Sequence, residues 1–267
     1  MTKSKFQIPI RHPDYEYPPA THPYWIKSQG QKGFAFSDND TEAHRGQWRD
    51  QFSKFVQPTD PKPATAEPAQ PEDHVISQDH ATSQESRQLH VEIGCNAGHV
   101  LLEWAALKPE AVFIGIDWKF KAIFRGAEKA QKRGLKNVLF FRAHGERLPY
   151  MFQTGEIDGL SLYFPDPWPK KSHWKNRFIT AETLRDLAKP VKPGGVFHIK
   201  TDHPDYFEWM LRAVAEVPDL WELVELSRDL HKNHPAPLKL QIPEVTLFER
   251  LFIRDLIPIQ SLKLVRR

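Results

Sequence analysis

A stiff segment rich in aromatic and basic residues carries the most specific chemistry in this 267-residue chain. Residues 163–177 read YFPDPWPKKSHWKNR. Three closely spaced prolines restrict the backbone and remove amide donors, which would hold Asp166 and Trp168 in fixed positions. A carboxylate accepts hydrogen bonds from the ring N–H and amino group of guanine, and an aromatic ring stacks on a base. We therefore interpret this segment as a base-binding loop.

Basic residues follow the prolines directly. Four of them fall within eight positions, with a serine, a histidine and a tryptophan between them: Lys170, Lys171, Lys175 and Arg177 around Ser172, His173 and Trp174. Basic side chains interleaved with aromatic ones suit single-stranded or looped RNA. The alternative interpretation is a rigid surface loop that leads into the basic start of a helix.

A second group of candidates surrounds a glycine-rich turn, residues 92–98 (EIGCNAG). Gly94 and Gly98 permit a tight turn and a close approach of the backbone to a ligand. The middle glycine of a dinucleotide fingerprint is missing and no Walker lysine follows, which argues against a pyrophosphate and against ATP. Glu92 suits a positive charge, and Asp117 is placed to bind both ribose hydroxyls of an adenosine. S-adenosylmethionine, which has a sulfonium and an ammonium group but no phosphate, fits these features.

Each of these residues also has a structural alternative. The glycine turn is common between a strand and a helix, Glu92 can be an ordinary carboxylate, and Asp117 and Asp202 can cap the helices that follow them. His144 ends a strand, where it or Glu146 can reach an adenine or simply face solvent.

Predicted strands and helices alternate through most of the chain. The strands are 89–94, 111–117, 137–142, 157–164, 195–201, 222–226 and 246–253, and the helices are 98–107, 119–133, 178–189 and about 204–216. This alternation predicts βαβ units in a doubly wound, three-layer α/β/α sandwich of the Rossmann-like type. Ligands in such folds bind at the carboxyl ends of the strands, where the glycine turn and the base-binding loop both begin.

The N-terminal third divides into two parts. Residues 1–56 form an extension in which 41–56 is predicted to be a short amphipathic helix that docks on the core. Trp48, Phe52 and Phe55 share one face of that helix.

Residues 57–88 are expected to be a disordered linker or surface insertion. They hold five prolines and no aromatic residue or glycine, so they cannot bury much apolar surface. Their net charge of −4 leaves +7 for the other 235 residues, although the whole chain carries only +3. The rest of the chain, residues 1–56 together with the main domain at 89–267, is therefore more suited to a polyanionic partner than the total charge indicates.

Composition excludes several protein classes. No apolar run approaches the roughly 20 residues of a membrane helix, and the N-terminus lacks the apolar core of a signal peptide. A single cysteine, Cys95, excludes an internal disulfide framework and a cysteine-based zinc site. The 13 histidines show no ligand-like spacing, so we expect no metal. These features predict a cytoplasmic protein that does not associate with membranes.

Together, these motifs resemble the bacterial tRNA (guanine-N7-)-methyltransferases, class I enzymes that depend on S-adenosylmethionine. The similar elements are Arg45-Gly-Gln-Trp48, the glycine turn, Gly115-Ile-Asp117, Asp166-Pro-Trp-Pro-Lys-Lys171, Thr201-Asp202 and Thr246-x-x-Glu249. The resemblance implies methylation of N7 of the variable-loop guanosine at position 46 of tRNA. Two positions depart from the family pattern: Asn96 replaces the middle glycine of the turn, and His144 replaces an Asp or Asn.

The resemblance also implies roles for individual residues. Contacts with S-adenosylmethionine are implied for Glu92, Asp117, His144 and Asp166, beside the backbone at Gly94. Contacts with the target guanosine are implied for Lys170, Asp202, Thr246 and Glu249, although Thr246 to Glu249 can equally be part of an edge strand. Contacts with RNA are implied for Lys171, Ser172, His173, Lys175 and Arg177.

Asp166 is also the candidate catalytic residue. N7 of guanine carries an in-plane lone pair and no proton, so methylation needs no general base at the attacking atom. A carboxylate that orients guanine and lies near the forming 7-methylguanine cation contributes by proximity and charge stabilisation.

Two other functions remain open from the sequence. One is a methyltransferase that acts on an amino group of nucleic acid or protein, since such enzymes carry a related Pro-rich loop after the same strand. The other is a catalytically silent RNA-binding module of the same fold. The chain is expected to be a monomer or a homodimer.

Overall fold

The computed structural model describes residues 8–17, 21–28, 35–36, 38–49, 87–232 and 245–267. The helices are α1 (Pro23–Ser28), α2 (Asp38–Ala43), α3 (His99–Leu107), α4 (Phe120–Lys132), α5 (Leu148–Met151), α6 (Ala181–Leu187), α7 (Pro204–Ala215) and α8 (Leu247–Arg254). The strands are β1 (Ala35–Phe36), β2 (Leu89–Ile93), β3 (Val112–Asp117), β4 (Val138–Arg142), β5 (Ile157–Tyr163), β6 (Val191–Thr201), β7 (Trp221–Ser227) and β8 (Gln260–Arg266).

The eight strands form one sheet in the order β1-β4-β3-β2-β5-β6-β8-β7. Strands β1 to β6 pair in parallel, and β8 runs antiparallel between β6 and β7. From β2, the strands that follow in sequence are added first on one side, as β3 and β4, and then on the other side, as β5 and β6. This reversal at β2 is where a doubly wound sheet opens a crevice for a ligand.

Helices cover both faces of the sheet. Side chains alternate along β3 and β4, so that Phe113 and Phe140 pack with residues of α3 and α4, while Ile114 and Phe141 pack in the larger cluster on the other face. The larger cluster contains residues of α6 and α7. Central strands buried on both faces explain the nearly continuous apolar runs in their sequences. The predicted three-layer α/β/α fold is confirmed.

The predicted strand near the C-terminus is wrong. The prediction of a strand over residues 246–253 fails because this stretch is helix α8, and the last strand is β8. Thr246 accepts a hydrogen bond from the backbone N–H of Glu249, while the Glu249 carboxylate accepts one from the N–H of Thr246. This reciprocal capping box starts a helix where apolar runs alone indicated a strand.

The helix predicted over residues 41–56 is interrupted in its described part, residues 41–49. Helix α2 ends at Ala43, and Gly46 has a left-handed φ of +80°, which interrupts a helix at this position. Trp48 nevertheless packs in the core with no exposed surface, and its Nε1 donates a 2.9 Å hydrogen bond to the carbonyl of Met151. Residues 50–86, which include Phe52, Phe55 and nearly all of the predicted linker, lie outside the described residues.

None of the helices described above has the length and apolarity to cross a bilayer. Within the same residues, no group of three or more His, Cys, Asp or Glu side chains is placed to hold a metal ion.

Candidate active site

The glycine turn leaves β2 at the point where the sheet order reverses. Gly94, Asn96 and Gly98 all have positive φ angles, of 73°, 48° and 67°. A Cβ atom on Gly98 would lie 2.5 Å from the ring of Phe140, so only glycine fits there. Asparagine tolerates the left-handed region, which explains how the turn forms with Asn96 in place of the family's glycine.

Asp117 ties this turn to the next helix. One carboxylate oxygen accepts a 3.0 Å hydrogen bond from the N–H of Asn96, and the other accepts a 2.8 Å hydrogen bond from the N–H of Lys119. Burial raises the pKa of Asp117, and these two N–H groups partly oppose the increase. Asp117 is not the N-cap of α4, because that position is Lys119 and no described side chain caps this helix start. The remaining lone pairs of the Asp117 carboxylate leave room for a ligand.

Glu92 is a buried carboxylate with an unmet hydrogen-bonding requirement. Its side chain is 5% exposed, and its Oε2 has no hydrogen-bond partner in the described part of the chain. Burial raises its pKa from 4.5 to about 8, Asp117 adds to the increase, and Lys200 reduces it. A buried carboxylate is costly unless a positive charge or a donor accompanies it. This position therefore fits a ligand with a cationic group, such as the predicted cofactor.

His144 belongs to an aromatic stack beside Asp117. Its ring stacks on Trp118 with 3.7 Å between the ring centroids and 21° between the planes. The guanidinium of Arg142 lies 3.4 Å from the centroid of the Trp118 ring. Burial, together with Arg142, lowers the pKa of His144 to about 4, so the imidazole is neutral near pH 7. Trp118 was not among the predicted site residues. Its position directly after Asp117, at the end of a predicted strand, could have identified it.

The base-binding loop follows β5, the neighbour of β2. Phe164 and Trp168 adopt left-handed φ angles of 55° and 46°, which non-glycine residues rarely do. The N–H of Phe164 donates a 2.8 Å hydrogen bond to the carbonyl of Lys200. Asp166 between them is exposed and makes no hydrogen bond or ion pair with the described residues. It lies close enough to Asp117 to raise the pKa of that carboxyl group.

Arg177 packs beneath this loop and, unlike its basic neighbours, is buried; its contact with RNA stays a prediction. Its side chain is only 3% exposed, and its Nε donates a 2.9 Å hydrogen bond to the carbonyl of Pro167. The guanidinium packs over the rings of Trp174, Tyr206 and Trp209 at 4.8–5.1 Å. Lys170, the predicted guanosine contact, is exposed. The other predicted RNA contacts are exposed as well: Lys171, Ser172, His173 and Lys175.

Asp202 lies at the carboxyl end of β6, half-buried. Its structural alternative, a helix cap, is wrong because His203 caps α7 by accepting a 3.2 Å hydrogen bond from the N–H of Tyr206. Asp202 makes no hydrogen bond to any described residue, so its carboxylate remains available at this edge of the sheet.

Thr246 and Glu249 are buried, and other residues contact both side chains, so their guanosine contact stays a prediction. Glu249 has no exposed surface and Thr246 is 8% exposed. Beyond the capping box, the Glu249 carboxylate accepts hydrogen bonds from Lys200 Nζ at 3.0 and 3.2 Å and pairs with His231. Burial opposes ionisation of Glu249, but the hydrogen bonds from His231 and Lys200 outweigh it and lower its pKa. These residues anchor α8 to β6, and the sequence analysis missed Lys200 and His231 because they are distant in sequence.

The arrangement brings four carboxylates to neighbouring strand ends: Glu92 and Asp117 at the glycine turn, Asp166 on the loop after β5, and Asp202 after β6. Exposed lysines continue from the loop. Such a site suits a cationic ligand beside a substrate that gains positive charge, with a polyanion in contact with the lysines.

Comparison with known proteins agrees with this geometry. A family model described as "Putative methyltransferase" matches residues 86–255. A tRNA (guanine-N(7)-)-methyltransferase of Bdellovibrio bacteriovorus is 30% identical over 176 residues, which cover 66% of this chain and 81% of that protein. One from Azorhizobium caulinodans is 36% identical over 131 residues, covering 49% of this chain and 57% of that protein.

A bifunctional glycosyltransferase/methyltransferase of Fusobacterium nucleatum is 35% identical over 168 residues, covering 63% of this chain and 25% of that protein. The chain thus spans between 25% and 81% of these curated relatives. Among solved structures, the 16S rRNA methyltransferase KamB has a TM-score of 0.50 and 20% identity, covering 67% of this chain and 88% of that one. At that identity the similarity concerns the fold alone.

Proposed function

The chain belongs to the bacterial tRNA (guanine-N7-)-methyltransferase family, and we propose that it transfers the methyl group of S-adenosylmethionine to N7 of the variable-loop guanosine at position 46 of tRNA. The observation that carries this proposal is the placement of Asp166. A strained loop holds this exposed carboxylate near the glycine turn, where a buried oxygen of Glu92 has no hydrogen-bond partner among the described residues.

The residues around the glycine turn fit S-adenosylmethionine, which when bound supplies an electrophilic methyl group on a sulfonium. Glu92 would hold the cationic methionine end, because its buried carboxylate lacks a partner in the described residues. The turn at Gly94 leaves open space for a ligand, since a Cβ atom there would meet nothing within 4 Å. Asp117 would bind the ribose, and His144 with Trp118 would border the adenine.

Asp166 would orient the guanine by accepting hydrogen bonds from its ring N–H and amino group. This alignment directs the N7 lone pair toward the methyl group, so the reaction gains from orientation and needs no base at N7. The product base is cationic, and the negative charges of Asp166 and Asp202 would stabilise it as it forms. Lys170 would hold a phosphate or the guanine carbonyl oxygen.

The partner would be tRNA. A short 3-10 helix, Lys171–Asn176, follows the loop. Its exposed residues, at which we expect contact with the RNA backbone, are Lys171, Ser172, His173 and Lys175. The names of the relatives above support tRNA as substrate, and a cytoplasmic location remains a prediction from composition.

A methyl-transfer assay tests the proposal. The full chain is incubated with labelled S-adenosylmethionine and unmodified tRNA, and borohydride–aniline cleavage maps any 7-methylguanosine. We expect label in tRNA and cleavage at position 46. Label on an exocyclic amine would instead assign the chain to the amino-group methyltransferases, and failure to bind S-adenosylhomocysteine in calorimetry would indicate a silent RNA-binding module.

A further inference from the structure

Helix α8 buries its acid and exposes its large apolar side chains. Glu249 has no exposed surface, whereas Leu247, Phe248 and Leu251 are 57%, 53% and 45% exposed. A surface helix normally shows the opposite pattern. Single exposed apolar residues are common, but several on one helix face mark an interaction surface.

Three phenylalanines connect this helix to the base-binding loop. The ring of Phe164 lies 5.4 Å from that of Phe252 and 6.4 Å from that of Phe248. Phe248 and Phe252 are 6.5 Å apart with 22° between their planes. We call Phe164, Phe248 and Phe252 the aromatic ledge. Because Phe164 precedes Asp166 by two residues, the ledge is continuous with the candidate active site.

The surroundings of the ledge favour a nucleic acid over a protein. On one side, α8 approaches the glycine turn: His99, which follows Gly98, has a pKa that burial lowers and that Arg250 of α8 lowers further. On the other side, the loop continues to the exposed Lys170 and Lys171. An aromatic surface between a reaction centre and a run of lysines matches the alternation of bases and phosphates in RNA.

We propose that the aromatic ledge stacks on a tRNA base next to the reacting guanosine, with Phe248 as the principal contact. This inference rests on the proposed function, since it takes tRNA as the partner. A guanine that leaves its stack to reach the methyl group deprives its neighbours of a stacking partner. Phe248 replaces that partner, and the nearby lysines neutralise the adjoining phosphates.

Substitutions of Phe248 test the ledge through tRNA binding. Phe248→Ala is expected to raise the Kd for unmodified tRNA roughly 5- to 150-fold, the range typical for loss of one base–aromatic stack. The slope of log Kd against log salt concentration stays the same, because no phosphate contact is removed. Affinity for S-adenosylhomocysteine also stays the same. Leu226→Ala, at a leucine 43% exposed on β7, is the matched control and leaves all three quantities unchanged.

Two further variants separate stacking from general apolar contact. Phe248→Leu keeps an apolar side chain without a ring and is expected to weaken tRNA binding. Phe248→Tyr keeps the ring and is expected to retain wild-type affinity. A tRNA with 2-aminopurine at either nucleotide flanking the target guanosine reports stacking directly. The wild-type chain is expected to quench the fluorescence of one of the two probes, and Phe248→Ala to abolish that quenching.

Several results would overturn the ledge. Wild-type tRNA affinity in Phe248→Ala would do so, and so would full affinity in Phe248→Leu. A dimer in light scattering that Phe248→Ala dissociates would assign the surface to a second copy of the chain.

The proposed function fails separately. N7 methylation by the wild type with normal tRNA binding by the Phe248 variants refutes only the ledge. Loss of affinity in those variants without N7 methylation by the wild type refutes only the activity.

Discussion

The carboxylate of Asp166 makes no hydrogen bond or ion pair with the described residues, while the backbone on both sides of it is held in place. Left-handed conformations at Phe164 and Trp168 each cost about 1–3 kcal/mol and persist only where the surroundings impose them. Arg177 supplies part of that support through its hydrogen bond to Pro167. The loop thus presents an exposed acid in a fixed place, which is what orientation of a substrate requires.

Substitution of Asp166 tests its role in catalysis. Asp166→Ala is expected to keep the wild-type Tm, because the side chain is exposed and makes no hydrogen bond to a described residue, but to lower the rate of methyl transfer by orders of magnitude. Single-turnover assays with tRNA measure the rate. Asp219→Ala, at another exposed aspartate, is the control, and near wild-type turnover of Asp166→Ala would remove Asp166 from the mechanism.

Glu92 predicts a pH dependence of stability with a definite sign. Its pKa is about 8 in the folded chain against an ordinary 4.5, so between these values the folded chain holds a proton that the unfolded chain has released. Stability therefore falls as pH rises from about 4.5 to about 8. Glu92→Gln cannot ionise, so its Tm is expected to fall less than that of the wild type between pH 5 and pH 9. Equal decreases in the two proteins would contradict the raised pKa.

The same residue predicts a pH dependence of cofactor binding. A cationic group favours the ionised form of Glu92, so affinity for S-adenosylhomocysteine, which keeps the ammonium group, is expected to rise between pH 6.5 and pH 8.5. Calorimetry in buffers of different ionisation enthalpy would show proton release on binding. A flat profile in the wild type, or the same profile in Glu92→Gln, would separate Glu92 from the cofactor.

At the scale of elements, the sequence predicted β2, β3 and α4 well but not α8. The central strands are buried on both faces, and their apolar runs are unambiguous. Helix α4 places Ile123, Ala127 and Ala130 on one buried face, which gives a clear helical period. Helix α8 exposes its apolar residues and buries its acid, so its pattern misleads. The capping-box motif Thr246-x-x-Glu249 marks the start of α8. In the sequence, the same two residues suggested a ligand contact instead.

The pairing of Lys200 with Glu249 predicts how α8 is anchored. Glu249→Leu removes the carboxylate that neutralises the 2%-exposed Lys200 and is expected to cost about 3–5 kcal/mol in the free energy of unfolding. Lys200→Met/Glu249→Leu removes both charges and is expected to recover most of that loss. Urea unfolding of the two single variants and the double variant measures the coupling. Additive losses would mean that the two side chains do not stabilise each other.

At the scale of the whole molecule, the basic surface is smaller than the sequence indicated. Net charge and motif spacing placed Arg177 with the lysines, but its contacts with Pro167 and three aromatic rings make it part of the interior. The sequence could not distinguish these roles, because burial of Arg177 depends on Tyr206 and Trp209 of α7. We therefore expect the exposed residues of the segment to contribute more to RNA binding than Arg177.

This division predicts different effects for the basic residues. Lys171→Ala/Lys175→Ala is expected to weaken tRNA binding and to reduce the slope of log Kd against log salt concentration by about two, with the Tm unchanged. Arg177→Ala is expected to lower the Tm and leave the slope unchanged. Filter binding at several salt concentrations with parallel thermal unfolding checks both. An unchanged slope in the double variant would place the RNA elsewhere on the molecule.

The proposed activity methylates one atom of the substrate, N7 of the variable-loop guanosine. It is tested most directly with a tRNA in which that single guanosine is replaced by 7-deazaguanosine, where a C–H group takes the place of N7. We expect the chain to methylate the guanosine-containing tRNA and to incorporate no label into the 7-deaza tRNA, although both bind with similar affinity. Equal incorporation of label into the two tRNAs would contradict it.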